Sequence, residues 1–144
     1  NMASPIKLFV DSDVIISSLL STSGAAFMLL NQIDTVELHL SNFSISELER
    51  VAQRLDIHSP KLNRLIDTRF TAIALSESSS VLRKQYAAYV LDANDAHIVA
   101  AAKQAQTAFL LSYNIRHFQA DKLKQDFQII LMTPGTFLQY LRSL

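Results

Sequence analysis

Apolar residues fall along this chain in short unbroken runs that alternate with longer stretches carrying them every three or four positions. Ile6 to Val10 is a run too short for a helix, stops at Asp11, and predicts a buried strand of a parallel sheet. Val14 to Leu20 predicts a helix, broken at Thr22-Ser23-Gly24 before a second helical stretch from Ala25 to Gln32. Val36 to Leu40 predicts a second strand. From Ser44 to Leu55, the positions Ile45, Leu48, Val51, Ala52 and Leu55 keep a helical period. Lys61 to Leu75 carries Leu62, Leu65, Ile66, Arg69, Phe70 and Ile73 at helix spacing, entered through Ser59-Pro60, and predicts one continuous helix.

Ser76 to Ser80 is expected as a loop or short strand, and Val81 to Val90 as a short helix. Ala93 to Gln106 predicts a helix, Phe109 to Ser112 a third strand and Phe127 to Met132 a fourth, with Pro134 opening a last helix through Leu141. Strands alternating with helices imply an α/β fold: a three-layer α/β/α sandwich around a central, mainly parallel sheet of four to five strands.

Composition narrows the class. With 144 residues and 49% hydrophobic content, the chain has material for one continuous core. Asn1 before Met2 looks like the remnant of a tag, so a single domain over residues 2–144 is expected. No apolar stretch reaches the ~18 residues that a membrane helix needs, and residues 1–20 lack a signal pattern, so a soluble, cytoplasmic protein is expected. The absence of cysteine excludes disulfides, thiolate metal sites and cysteine nucleophiles. Thirteen Lys+Arg against thirteen Asp+Glu exclude retention on nucleic acid by bulk positive charge, though not a local basic groove. The only two glycines, Gly24 and Gly135, rule out a phosphate-cradling loop or a dinucleotide fingerprint.

In an open α/β sheet, ligands gather beyond the carboxyl ends of the strands. Asp11 and Asp13 follow the first predicted strand, Ser112 and Asn114 the third, and Asp92 with Asp95 opens the helix between them. Glu47 lies in the first turn of the helix after the second strand. Oxygen donors converging there suit a hard divalent cation, Mg²⁺ or Mn²⁺. Each acid also has a structural reading. Ser44-Ile45-Ser46-Glu47 is a capping box, Asp92 and Asp95 can complement a helix N-terminus, and Asp13 can cap the helix starting at Val14. Asp11 differs, because a carboxylate ending a buried strand is costly unless paired or hydrated. The four histidines lack zinc-ligand spacing.

The segments "LFVDSDVIISSLLSTSGAAFMLL", "LSNFSISELERVAQRL", "LDANDAHIVAAAKQAQTAFLLSYNIRHF" and "IILMTPGTFLQYL" resemble, in order and over almost the whole chain, the PIN-domain nuclease family and its branch of toxin components from toxin–antitoxin systems. The resemblance implies an acidic pocket that binds Mg²⁺ or Mn²⁺ and hydrolyses RNA. Within it Asp11, Glu47 and Asp95 match the family's catalytic acids, Asp92 matches an additional acid, and Asn114 stands where many members have a further Asp. Asp13 stands where the family usually has Asn, and Ser112 accompanies Asn114 in a Ser-Tyr-Asn variant of the motif. Arg50, Arg54 and Arg116, near Glu47 and Asn114 in sequence, are candidates for phosphate contacts. The resemblance also implies a small antitoxin partner and a homodimer.

Two alternatives stay open at this level. "LFVDSDVII" also resembles the first motif of haloacid-dehalogenase-type phosphatases, with Asp11 as nucleophile, Asp13 as acid, and Ser41 and Lys61 or Lys84 completing the set, although Val14 and Ile15 replace that motif's Gly-Thr. A non-catalytic binding protein on the same scaffold is the other, since a fold does not confer activity by itself.

Overall fold

The computed structural model describes residues 4–144; the tag reading of Asn1 and Met2 lies outside them. The chain builds five strands, β1 (Ile6–Val10), β2 (Val36–Ser41), β3 (Phe70–Ile73), β4 (Phe109–Leu111) and β5 (Ile130–Met132). Between them run α1 (Ser12–Leu20), α2 (Ala25–Gln32), α3 (Asn42–Arg54), α4 (Ser59–Arg69), α5 (Ser79–Tyr86), α6 (Ala96–Gln104), α7 (Ala120–Phe127) and α8 (Pro134–Arg142). Every strand pair is parallel and the order is β3-β2-β1-β4-β5. All five carboxyl ends therefore share one edge. The strand order turns back between β1 and β4, which makes that pair the topological switch point.

Strand alternation assigns the two faces. Leu8, Val10, Phe109 and Leu111 enter a core with α1, α2, α3 and α8, whereas Phe9 and Leu110 enter a second core with α5, α6 and α7. On α6, Ala100, Ala101 and Ala102 are all buried, and such small side chains let the helix lie close on the sheet. α4 ties the first layer together through its cations. Lys61 Nζ donates to the Leu19 carbonyl (3.1 Å), and Arg69 donates to Leu30 O (2.6 Å) and Ile33 O (2.5 Å), satisfying carbonyls that helix ends leave open. Arg69→Met is expected to lower stability by about 1.5–3 kcal/mol, the range for hydrogen bonds from a charged group, as measured by urea denaturation.

Several expected boundaries move. The predicted helix over 61–75 ends at Arg69, and Phe70 to Ile73 form β3, an edge strand beside β2. Phe70 and Ile73 fit a helical spacing, and only half of this short strand is shielded, so no alternation marks it. α7 has no counterpart among the predicted elements, because Leu123 is its only buried residue amid charged neighbours. It takes Phe127 from the predicted fourth strand, and Gln128 closes it in the left-handed region (φ 56°). Ala93 to Asp95 is a 3₁₀ turn, so α6 begins at Ala96. Among the described residues, no single helix is long and apolar enough to cross a membrane.

Candidate active site

Asp11 ends β1 and caps α1, and its buried carboxylate is held from two sides. The Ser12 N–H donates to Oδ1 (2.8 Å), and the Ser112 hydroxyl, at the end of β4, donates to Oδ2 (2.8 Å). The cap is thus Asp11, and the reading of Asp13 as cap is corrected: one residue into α1, Asp13 reaches across the switch point instead. Its Oδ2 accepts from the Tyr113 N–H (2.9 Å) and lies 3.4 Å from Ser112 Oγ, while its Oδ1 is buried with no hydrogen-bond partner. The Asn114 N–H donates to Ser112 Oγ (3.0 Å), fixing the hydroxyl between the two acids.

Glu47 is not the third residue of a capping box. α3 starts at Asn42 with Ser41 as its cap, whose hydroxyl accepts from the Ser44 N–H (3.1 Å), so Glu47 lies in the second turn with no capping duty. Asp95 makes no side-chain cap bond at the start of α6, and its Oδ2 faces His117 Nδ1 at 3.7 Å. That meeting is built by a short antiparallel bridge: Leu91 N–H donates to His117 O (2.8 Å) and Gln119 N–H to Tyr89 O (2.9 Å). Asp92 does keep its structural role. It is exposed, caps the 3₁₀ turn and accepts from the Asn94 N–H (2.9 Å).

Charge links these groups. Burial, then repulsion from Asp13, raises the Asp11 carboxyl to about 7; the bonds from Ser112 and Ser12 oppose this, and Glu47 adds to it. Burial also raises Asp13, against hydrogen bonds led by that from Tyr113. Asp95 is raised by burial and then by Asp92, with His117 opposing and Glu47 and Asp13 adding. Asp11, Asp13 and Asp95 therefore sit in one negative field, to which the Glu47 charge adds at Asp11 and Asp95, and Asp11 and Asp13 titrate together. With Asp11 protonated, its O–H can donate to Ser112 Oγ, freeing the serine hydroxyl to donate to Asp13. Ser112→Ala is expected to move the Asp11 midpoint above about 7, read from its carboxyl carbon by NMR.

Among the described residues, no three His, Asp or Glu side chains stand close enough to cage a cation as they are. The donor set nevertheless fits a hard cation: the ligands are all oxygen, Asp13 Oδ1 is buried and unpartnered, and burial raises Asp11, Asp13 and Asp95 alike. Arg50 lines a cleft of about 570 Å³ together with Glu47, whereas Arg54 and Arg116 are exposed and Asn114 is exposed beside Ser112. The cleft's Phe43, Ser46 and Asn94 are absent from the sequence-derived site, because an aromatic, a serine and an asparagine on separate elements carry no spacing signal.

A sequence model described as PIN domain matches residues 7–116, from β1 to the turn beyond β4. The chain belongs to the PIN domain family. PIN domains are typically nucleases and generally use divalent metals. The match covers the "LFVDSDVII" segment on which the phosphatase alternative rested. No curated protein matches the sequence. Among solved structures, this PIN domain is similar to a chain of VapBC2 from Rickettsia felis bound to a DNA fragment from their promoter, with a TM-score of 0.58, 13% identity, and 89% of this chain and 98% of that chain covered. At that identity the likeness concerns the fold.

Proposed function

We propose that this PIN domain is a single nuclease domain over residues 2–144, an endoribonuclease dependent on Mg²⁺ or Mn²⁺. The observation that carries the reading is the Asp11–Ser112–Asp13 arrangement at the switch point: a buried carboxyl pushed up to about 7 beside a carboxylate oxygen that has no partner. Asp11, Glu47 and Asp95 are the catalytic acids. Asp92 and Asn114 are additional oxygen donors at the rim. Ser112 holds Asp11 in place, and the neighbouring Asp13 charge raises the Asp11 carboxyl's affinity for a proton.

A bound cation supplies polarisation of the scissile phosphate and a lowered pKa for the attacking water. The chain's own part is positional and electrostatic. Ser12 and Ser112 fix both oxygens of Asp11, so the acid keeps one orientation as its charge changes. His117 faces Asp95 on its outer side, with Nδ1 3.7 Å from Oδ2. Arg50, from the cleft next to Glu47, and the exposed Arg54 and Arg116 contact RNA phosphates.

The toxin–antitoxin assignment rests on the resemblance of the four sequence segments and is supported by the fold shared with a chain of VapBC2. In that reading the protein is a cytoplasmic toxin, its partner a small antitoxin that covers the acidic pocket, and the chain a homodimer. Incubation of the purified chain with single-stranded RNA and Mn²⁺ is expected to yield cleaved ends that EDTA prevents. RNA binding without cleavage would instead make this a binding protein on a PIN scaffold.

A further inference from the structure

Next to the acidic pocket, the cleft of about 570 Å³ is lined by Phe43, Glu47, Arg50, Ser79 and His97 among others, within the size range of small-ligand sites. The rings of Phe43 and His97 are stacked, with centroids 5.5 Å apart and planes 19° from parallel, which sets two flat rings side by side in the lining of the cleft. His97 Nδ1 is buried with no hydrogen-bond partner. A histidine filling this place for packing alone strands a nitrogen that a phenylalanine would not. The rim is polar and firm. The Asn42 amide is locked to the Leu75 backbone at 3.1 and 3.0 Å, which anchors α3 to the segment after β3.

A flat wall, hydrogen-bonding groups around it and a cation at the mouth match the way proteins take up an unstacked base. We propose that this cleft is a nucleobase subsite that seats a base of single-stranded RNA beside the phosphate presented to the acidic pocket. The substrate class rests on the nuclease reading above. Glu47 belongs to both places, so a base held here sets which phosphate reaches Asp11. Sequence preference of cleavage then arises from this cleft.

The test uses the full chain carrying Asp11→Asn, so that hydrolysis during the titration is suppressed. Titration with the four nucleoside 5′-monophosphates is expected to shift the His97 ring resonances, saturably, for at least one base. Ser79→Tyr, which fills the cleft from its exposed rim, and Phe43→Leu are each expected to weaken binding of a short single-stranded RNA roughly 5- to 150-fold, the range of one stacked base. No shift with any of the four nucleotides, or an unchanged RNA affinity in Ser79→Tyr, overturns the subsite. The two readings fail separately: His97 shifts in a chain whose Asp11-bearing parent cuts no RNA remove the nuclease and support the subsite.

Discussion

Replacing Asp11 by Asn is expected to reduce RNA cleavage by at least ~100-fold, the scale on which loss of one preorganised electrostatic contributor acts, while making the protein more stable at pH 8. Both effects come from the same charge. The carboxamide keeps an oxygen for the Ser12 N–H and presents its amide nitrogen to Ser112, whose hydroxyl then turns to Asp13, so the local hydrogen bonds survive. What disappears is a buried negative charge facing Asp13 and Glu47. The carboxyl titrates at about 7 when folded and at 3.8 when not, so at pH 8 without divalent cation the variant gains at most about 4 kcal/mol over the parent. Urea denaturation at pH 8 and pH 4 checks the stability, and the gain should shrink toward pH 4. A variant that cuts RNA at the parent's rate would remove Asp11 from the site.

The second large effect is the dependence of the parent's stability on pH and cations. A carboxyl whose folded pKa is raised binds its proton more tightly folded than unfolded, so protonation favours the fold. The contribution of Asp11 is therefore complete below about pH 4, declines through the window from 3.8 to about 7, and is lost above it. Asp13 and Asp95, also raised, act in the same direction. In EDTA, the melting temperature is expected to fall across this window. A cation that binds only the folded state should restore it, by about 2.7 kcal/mol at a hundred times its dissociation constant. Thermal scans at pH 8 with and without millimolar Mn²⁺ make the comparison. Identical melting curves would mean that the acidic pocket holds no cation.

The candidate site was legible in unequal parts. Asp11 could be singled out because a charge at the end of an apolar strand has one physical meaning wherever the strand lies. Glu47 looked like a cap until α3 proved to start at Asn42, a shift that changes its place relative to the helix end and frees its charge. Asp92 looked like a cap and is one. Asp13 could not be read locally at all, since its partners, Tyr113 and Ser112, stand about a hundred positions away.

The alternation of apolar periods along the chain determined the α/β class, the layered sheet and the edge on which the acids emerge, because burial of one face leaves its period in the sequence. It did not determine β3, whose exposed edge position leaves no such period, nor α7, which buries a single leucine. The order β3-β2-β1-β4-β5 was settled only in three dimensions, and with it the bond from Ser112 to Asp11 and the meeting of Asp95 with His117. The stack of Phe43 on His97 belongs there too. These contacts depend on which strand pairs with which, a choice made by the packing of whole faces and by how crossovers close, and no local spacing of residues encodes it.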